Sequence, residues 1–231
     1  MEQIKLLIAL PAYNEEKAIG AVLDKLPRKI KGVDKIEVLV VNDGSSDKTE
    51  EIALNKGAIV IAHPLNLGCG SAIQTIFNYF KKNNFDFLVI LDADGQHDPS
   101  YIEKLVTPLI NKEAEVAIGV RQFRLNNAPI LRIVGNFLLS KLTNLFYGIK
   151  FSDSQSGFRA FSKKAVNMIS LKSFGIEIAT EINLEIASKK IPFVEVKIPS
   201  IYTQYSQKKG QSIFNGLNQI FQIFMLPHRK K

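Results

Sequence analysis

The chain has a single cysteine, Cys69, among its 231 residues. One thiol excludes an internal disulfide and leaves no thiol cluster for zinc. Nothing around Cys69 in sequence lowers its pKa, so it reads as a small packing residue. Histidine is also scarce: the three present are scattered and form no metal site by spacing. No apolar run reaches the roughly 20 residues that span a bilayer. The early apolar stretch over residues 4–10 is too short for a signal peptide and leads straight into Pro11, so it reads as a strand. There is no internal repeat, low-complexity tract or clear linker. Aromatic and basic residues are not interleaved in an RNA-binding pattern, and no recognition-helix motif occurs, so nucleic acid is not the expected partner.

What is present suits one domain with at most a short appendage. Hydrophobic residues make up 46% of the chain and the mean hydropathy is +0.04, enough for a sizeable core. The net charge of +8 implies an anionic partner such as lipid headgroups or phosphorylated substrates. Much of it gathers near the C-terminus, at Lys208, Lys209, His228, Arg229, Lys230 and Lys231.

The first half alternates short apolar runs with helical patterns. Strands are expected over 4–10, 36–41, 58–62, 87–91 and 116–120, with helices over 15–26, 46–55, 67–82 and 100–111. The second of these helices carries a serine or aspartate at its start as a cap. Continuous apolar strands separated by helices indicate a parallel sheet covered on both faces, which binds ligands beyond the carboxyl ends of its strands. The second half has an amphipathic helix over 130–147, a helix over 175–189, a strand over 193–198 and an amphipathic tail over 213–226 ending in basic residues. On the helix over 175–189, Glu177, Glu181 and Glu185 share one face, either as a solvated stripe or with a role behind a site.

Three polar segments each follow a strand: Pro11-Ala-Tyr-Asn-Glu-Glu16, Val41-Asn-Asp-Gly-Ser-Ser-Asp47 and Leu91-Asp-Ala-Asp-Gly-Gln-His97. Singly, each is ordinary turn chemistry. Together they converge on one sheet edge. Asp92 and Asp94 alternate at a strand end and can offer oxygens to Mg²⁺ or Mn²⁺, which keep positions open for substrate phosphates. The glycines of Asn66-Leu-Gly-Cys-Gly70 can let backbone approach a ligand, a weak signal alone.

With the later segment Asp153-Ser-Gln-Ser-Gly-Phe-Arg159, these motifs resemble family 2 glycosyltransferases of the GT-A fold. Within them the chain is most similar to the dolichol-phosphate mannose synthase group, which uses polyprenyl phosphates. The resemblance covers about residues 3–210 and implies an α/β, Rossmann-like, mostly parallel sheet flanked by helices, with C-terminal amphipathic helices added. Residues 1–210 would be the catalytic domain and 211–231 a basic tail. By the same resemblance Pro11, Tyr13 and Glu15 line the nucleotide pocket and Asp43 contacts base or ribose. Asp92, Asp94 and Gln96 hold the metal and diphosphate, and Arg121 lies near the phosphates. Asp153 is a candidate catalytic carboxylate, and Arg159 touches phosphate or orients Asp153; the bland alternative is an ion pair between those two. Lys209, in a basic glycine-containing loop over 208–212, closes over donor and acceptor phosphates, although the family usually has an arginine there and lysine cannot grip phosphate bidentately.

The expected reaction is inverting transfer of a sugar from a UDP- or GDP-sugar to a polyprenyl or dolichyl phosphate, with Mg²⁺ or Mn²⁺. Asn42-Asp-Gly-Ser-Ser leans toward uracil. The expected location is the cytoplasmic face of a membrane, held by residues 130–147 and 213–226 or by a membrane-anchoring protein partner. Two alternatives stay open: a sugar hydroxyl as acceptor, which needs a firm general base, and a non-catalytic nucleotide-binding module.

Overall fold

The computed structural model describes residues 3–122 and 151–201. The elements are β1 (Lys5–Ala12), α1 (Ile19–Asp24), β2 (Lys35–Asn42), α2 (Thr49–Asn55), β3 (Ile59–Ala62), α3 (Cys69–Lys82) and β4 (Phe87–Ile90). A 3₁₀ turn, Pro99–Tyr101, runs into α4 (Ile102–Ile110), followed by β5 (Val116–Gln122), β6 (Arg159–Ser162), α5 (Lys163–Met168), α6 (Ile178–Ser188) and β7 (Phe193–Pro199). The expected helices over 130–147 and 213–226, the domain boundary at 210 and Lys209 lie outside the described residues.

The strands form one seven-stranded sheet in the order β3-β2-β1-β4-β6-β5-β7. All run the same way except β6, which pairs antiparallel with both β4 and β5. Alternation along β1 shows how both faces are filled. Leu6, Ile8 and Leu10 pack with Ile19, Val22, Ala53, Leu105 and Val106 from α1, α2 and α4. Leu7 and Ala9 face the other way, toward Ile76, Phe77, Val166 and Ile182 from α3, α5 and α6. A sheet apolar on both faces must be covered on both, and this one is.

Two elements went unread in the sequence. β6 is four fully buried residues inside a segment that reads as a motif, and α5 follows directly, capped by Ser162 Oγ accepting from Ala165 N at 3.1 Å. The helix expected from residue 15 begins at Ile19. The preceding peptide N–H groups are taken by side chains of the neighbouring loop: Asn14 N by Ser45 Oγ (2.9 Å), Glu15 N by Thr49 Oγ1 (2.7 Å) and Glu16 N by Asp47 Oδ2 (3.0 Å). The helix expected from residue 46 likewise starts at Thr49, whose N–H donates to Asp47 Oδ1 at 3.0 Å.

Candidate active site

The sheet brings the three polar segments side by side. β1, β2 and β4 end at Ala12, Asn42 and Ile90, so Tyr13–Glu16, Asp43–Asp47 and Asp92–His97 all emerge at the carboxyl edge. The loops after β1 and β2 bind each other through the three bonds above and through Asn14 Oδ1, which accepts from Ser46 N at 2.9 Å. Pro11 closes β1 opposite Val41, Tyr13 is exposed and Glu15 is buried. Gly44 is left-handed (φ 69°), and a Cβ there would lie 2.6 Å from Asn66 N, so only glycine lets the next loop come so close.

Asp43 is buried and holds that next loop. Its Oδ1 accepts from His63 Nδ1 (2.7 Å) and Leu67 N (3.0 Å), and its Oδ2 from Gly68 N (2.8 Å). His63 Nε2 lies 2.9 Å from Thr75 Oγ1 on α3. The glycines of the 66–70 turn face protein: Gly68 and Gly70 lie against the backbone of Ser173 and Phe174, and Ser71 N donates to Phe174 O at 3.2 Å. Cys69 sits among these groups. Burial, then the charges of Asp92, Asp43 and Glu177, push its thiol up to about 12, in keeping with a packing role.

Asp92 is 42% exposed along its side chain, and its Oδ2 lies 3.1 Å from Nε2 of the buried His97. Burial raises the Asp92 carboxyl, but His97, Arg121 and Arg159 outweigh it and hold it below the ordinary carboxylate range. Asp94 is shifted the other way, raised by burial and by the negative charge of Asp92. Gln96 partly offsets this by donating from its backbone N (2.9 Å) and its side-chain amide to the two Asp94 oxygens. Of the pair, Asp94 is therefore the carboxylate whose negative charge its surroundings disfavour.

Arg121, at the end of β5, makes a two-pronged contact with Asp153: Nε to Oδ2 at 2.7 Å and Nη2 to Oδ1 at 2.9 Å. Burial raises the Asp153 carboxyl, yet the hydrogen bonds and charge of Arg121 prevail and hold it low. The ion pair considered between Asp153 and Arg159 is absent. Arg159, 2% exposed, donates instead to Ser156 O (2.8 Å), Asn183 Oδ1 (2.8 Å), Ser154 O (3.2 Å) and Ala179 O (3.4 Å). Burial pushes its guanidinium down to about 10, against the pull of Asp153 and Asp92. A residue so enclosed ties the 154–156 segment to α6. Arg159→Met should take the donor from Ser156 O and Asn183 Oδ1 and cost about 3 kcal/mol of stability in urea unfolding.

Glu177, which precedes α6, and Glu181 and Glu185 on it form no solvated stripe. All are buried, and they hold the incoming segment by its backbone. Glu181 accepts from Lys172 N and Ser173 N (2.8 Å), Glu185 from Ser170 N (3.0 Å), and Glu177 from Gly175 N (3.3 Å).

Two residues beside Asp92 were missed. His97 ends the quoted third segment, yet nothing in the spacing of the histidines marks it. Gly157 stands in the quoted fourth segment, but its contact with Asp92 depends on β6 running antiparallel to β4.

The sheet thus carries Asp92 and Asp94 at the carboxyl edge, where open α/β sheets bind their ligands, and the Arg121–Asp153 pair at the end of β5. A family model described as glycosyl transferase family 2 matches residues 7–169, and the chain belongs to that family. An uncharacterized protein of Methanocaldococcus jannaschii is 38% identical over 226 residues, 96% of this chain and 91% of that protein. The UDP-N-acetylglucosamine–dolichyl-phosphate N-acetylglucosaminyltransferase of Methanococcus voltae is 33% identical, covering 95% of this chain and 94% of its own length. Among solved structures, glucosyl-3-phosphoglycerate synthase of Mycobacterium tuberculosis, in complex with Mn²⁺ and UDP-glucose, aligns with a TM-score of 0.72 at 21% identity. That alignment covers 96% of this chain and 78% of the synthase, and it establishes a shared GT-A fold. The protein is a glycosyltransferase. No helix among the described residues is long and apolar enough to cross a membrane.

Proposed function

We propose that the enzyme transfers a sugar, with inversion, from a nucleotide-sugar to a polyprenyl or dolichyl phosphate at the membrane's cytoplasmic face. One observation carries the choice of acceptor. Asp153, the candidate catalytic carboxylate, is 3% exposed and held by both oxygens to Arg121. A sugar hydroxyl needs a base to deprotonate it, whereas a lipid phosphate is already an anion and needs only to be positioned. The M. voltae relative, named for UDP-N-acetylglucosamine and dolichyl phosphate, supports the same acceptor and favours UDP over GDP in the donor.

Asp92, Asp94 and Gln96 fit a divalent cation that prefers oxygen and leaves positions for phosphates and water. A cation held by these residues would supply positive charge to neutralise the departing nucleoside diphosphate. Pro11, Tyr13 and Glu15 line the nucleotide pocket, and Asp43 shapes its base and ribose end by holding the 63–68 loop. Arg121, oriented by Asp153, faces the phosphates, where a fixed positive charge stabilises the transition state. Lys209 adds charge from the 208–212 loop. Residues 211–231, as a basic tail to a catalytic domain over 1–210, and residues 130–147 meet anionic lipid or an anchoring protein.

A panel of labelled UDP- and GDP-sugars, each incubated with polyprenyl phosphate and Mg²⁺ or Mn²⁺, tests the reading. Label from one donor should enter the organic phase. If no donor labels the lipid while a soluble acceptor is glycosylated, the hydroxyl alternative holds instead.

A further inference from the structure

The metal-binding role proposed for Asp92 depends on where its carboxylate points, and two groups outside the acidic pair govern that. The first is His97, 3% exposed and packed 5.3 Å, centroid to centroid, from the Phe158 ring. Its Nε2 lies 3.1 Å from Asp92 Oδ2. A carboxylate accepts, so Nε2 carries the hydrogen, while Nδ1 is buried with no partner. The second is Gly157, on the strand entry opposite the end of β4. A Cβ placed there would lie 2.7 Å from Asp92 Oδ2 and 2.8 Å from Oδ1, with Cγ at 3.1 Å. No backbone atom stands among those three neighbours. The carboxylate therefore rests on the bare Cα of Gly157 and is pinned at one oxygen by His97.

We propose that His97 and Gly157 are positioning residues for Asp92: the histidine holds Oδ2, the glycine sets the plane of the carboxylate, and Oδ1 is left to face the cation and substrate. This rests on the metal reading above. Imidazole partners of metal-binding carboxylates act in this way: they do not touch the metal, yet they set the direction and basicity of the ligand, and their loss typically weakens metal binding 10- to 100-fold.

The test is Mn²⁺ affinity, read from the paramagnetic resonance signal of free Mn²⁺ in the presence of saturating UDP or GDP, with melting temperature measured alongside. His97→Phe keeps a buried ring against Phe158 but removes the donor, while His97→Gln keeps an N–H near the position of Nε2. Gly157→Ala displaces only the end of the Asp92 side chain. His97→Phe and Gly157→Ala should each weaken Mn²⁺ binding about tenfold or more, with Gly157→Ala melting like the wild type, and His97→Gln should recover to within about threefold. Wild-type affinity in a folded His97→Phe or Gly157→Ala protein overturns the proposal. So does failure of both to fold, which would make the contacts structural. A wild type that binds no Mn²⁺ with either nucleotide overturns the metal reading itself, a separate outcome.

Discussion

Asp94→Ala should remove sugar transfer while leaving the fold as stable as the wild type. Asp94 makes its hydrogen bonds to Gln96, two residues on, and these hold no other element in place. Its carboxyl is raised by burial and by Asp92, so in the free enzyme its charge is repelled, and alanine relieves that repulsion. The same oxygens are those proposed to hold the cation against the leaving diphosphate. Removing a group that stabilises charge in the transition state costs about 4 kcal/mol, or roughly a thousandfold in rate. Initial rates with labelled donor and a thermal melt on the same sample check both halves. More than a tenth of wild-type activity would contradict the assignment, and a melting point several degrees lower would make Asp94 structural.

The second large effect concerns the Arg121–Asp153 pair, and a double-mutant cycle separates positioning from base catalysis. If Asp153 acts by orienting Arg121, then Arg121→Ala and Asp153→Asn each lower kcat by about 100-fold. The double variant then loses little beyond Arg121→Ala alone, because the partner to be oriented is already gone. A general base would give losses that multiply. Stability carries a matching pH signature. The Asp153 carboxyl is lowered by Arg121 despite burial, so its contribution is present above its unfolded pKa and is lost as pH falls through the folded value. The wild type should exceed Asp153→Asn by about 2 kcal/mol, an amount discounted for the partial exposure of Arg121. That gap should hold from pH 5 to 8 and close below about pH 4 in urea titrations.

The parallel part of the fold was legible because its strands are continuous apolar runs and its helices keep a helical period. Asp92, Asp94, Asp43 and Arg121 could be placed at one edge for the same reason: a strand end locates whatever follows it. β6 could not be read, since its four residues, Arg159–Ser162, set an arginine and a serine around Ala160 and Phe161 and make no continuous apolar run. Missing it hid the reversed strand that delivers Gly157 to Asp92. The partners of Arg159 could not be read for a related reason. An arginine in a motif suggests phosphate, and only the packing of α6 shows that four of its five N–H donors go to Ser154, Ser156, Ala179 and Asn183. The glutamates at α6 stayed open between a solvated stripe and a role behind the site, because a spacing of four fixes a shared face but not what that face meets.

The central claim, that the sugar goes to a lipid phosphate, is tested most directly by competition in one vessel. Polyprenyl phosphate in vesicles and a soluble hydroxyl acceptor are offered together with the labelled donor and Mn²⁺, and label is counted in the organic and aqueous phases. Label in the organic phase, released by mild acid as free sugar, is the predicted result. Label confined to the soluble acceptor would contradict it.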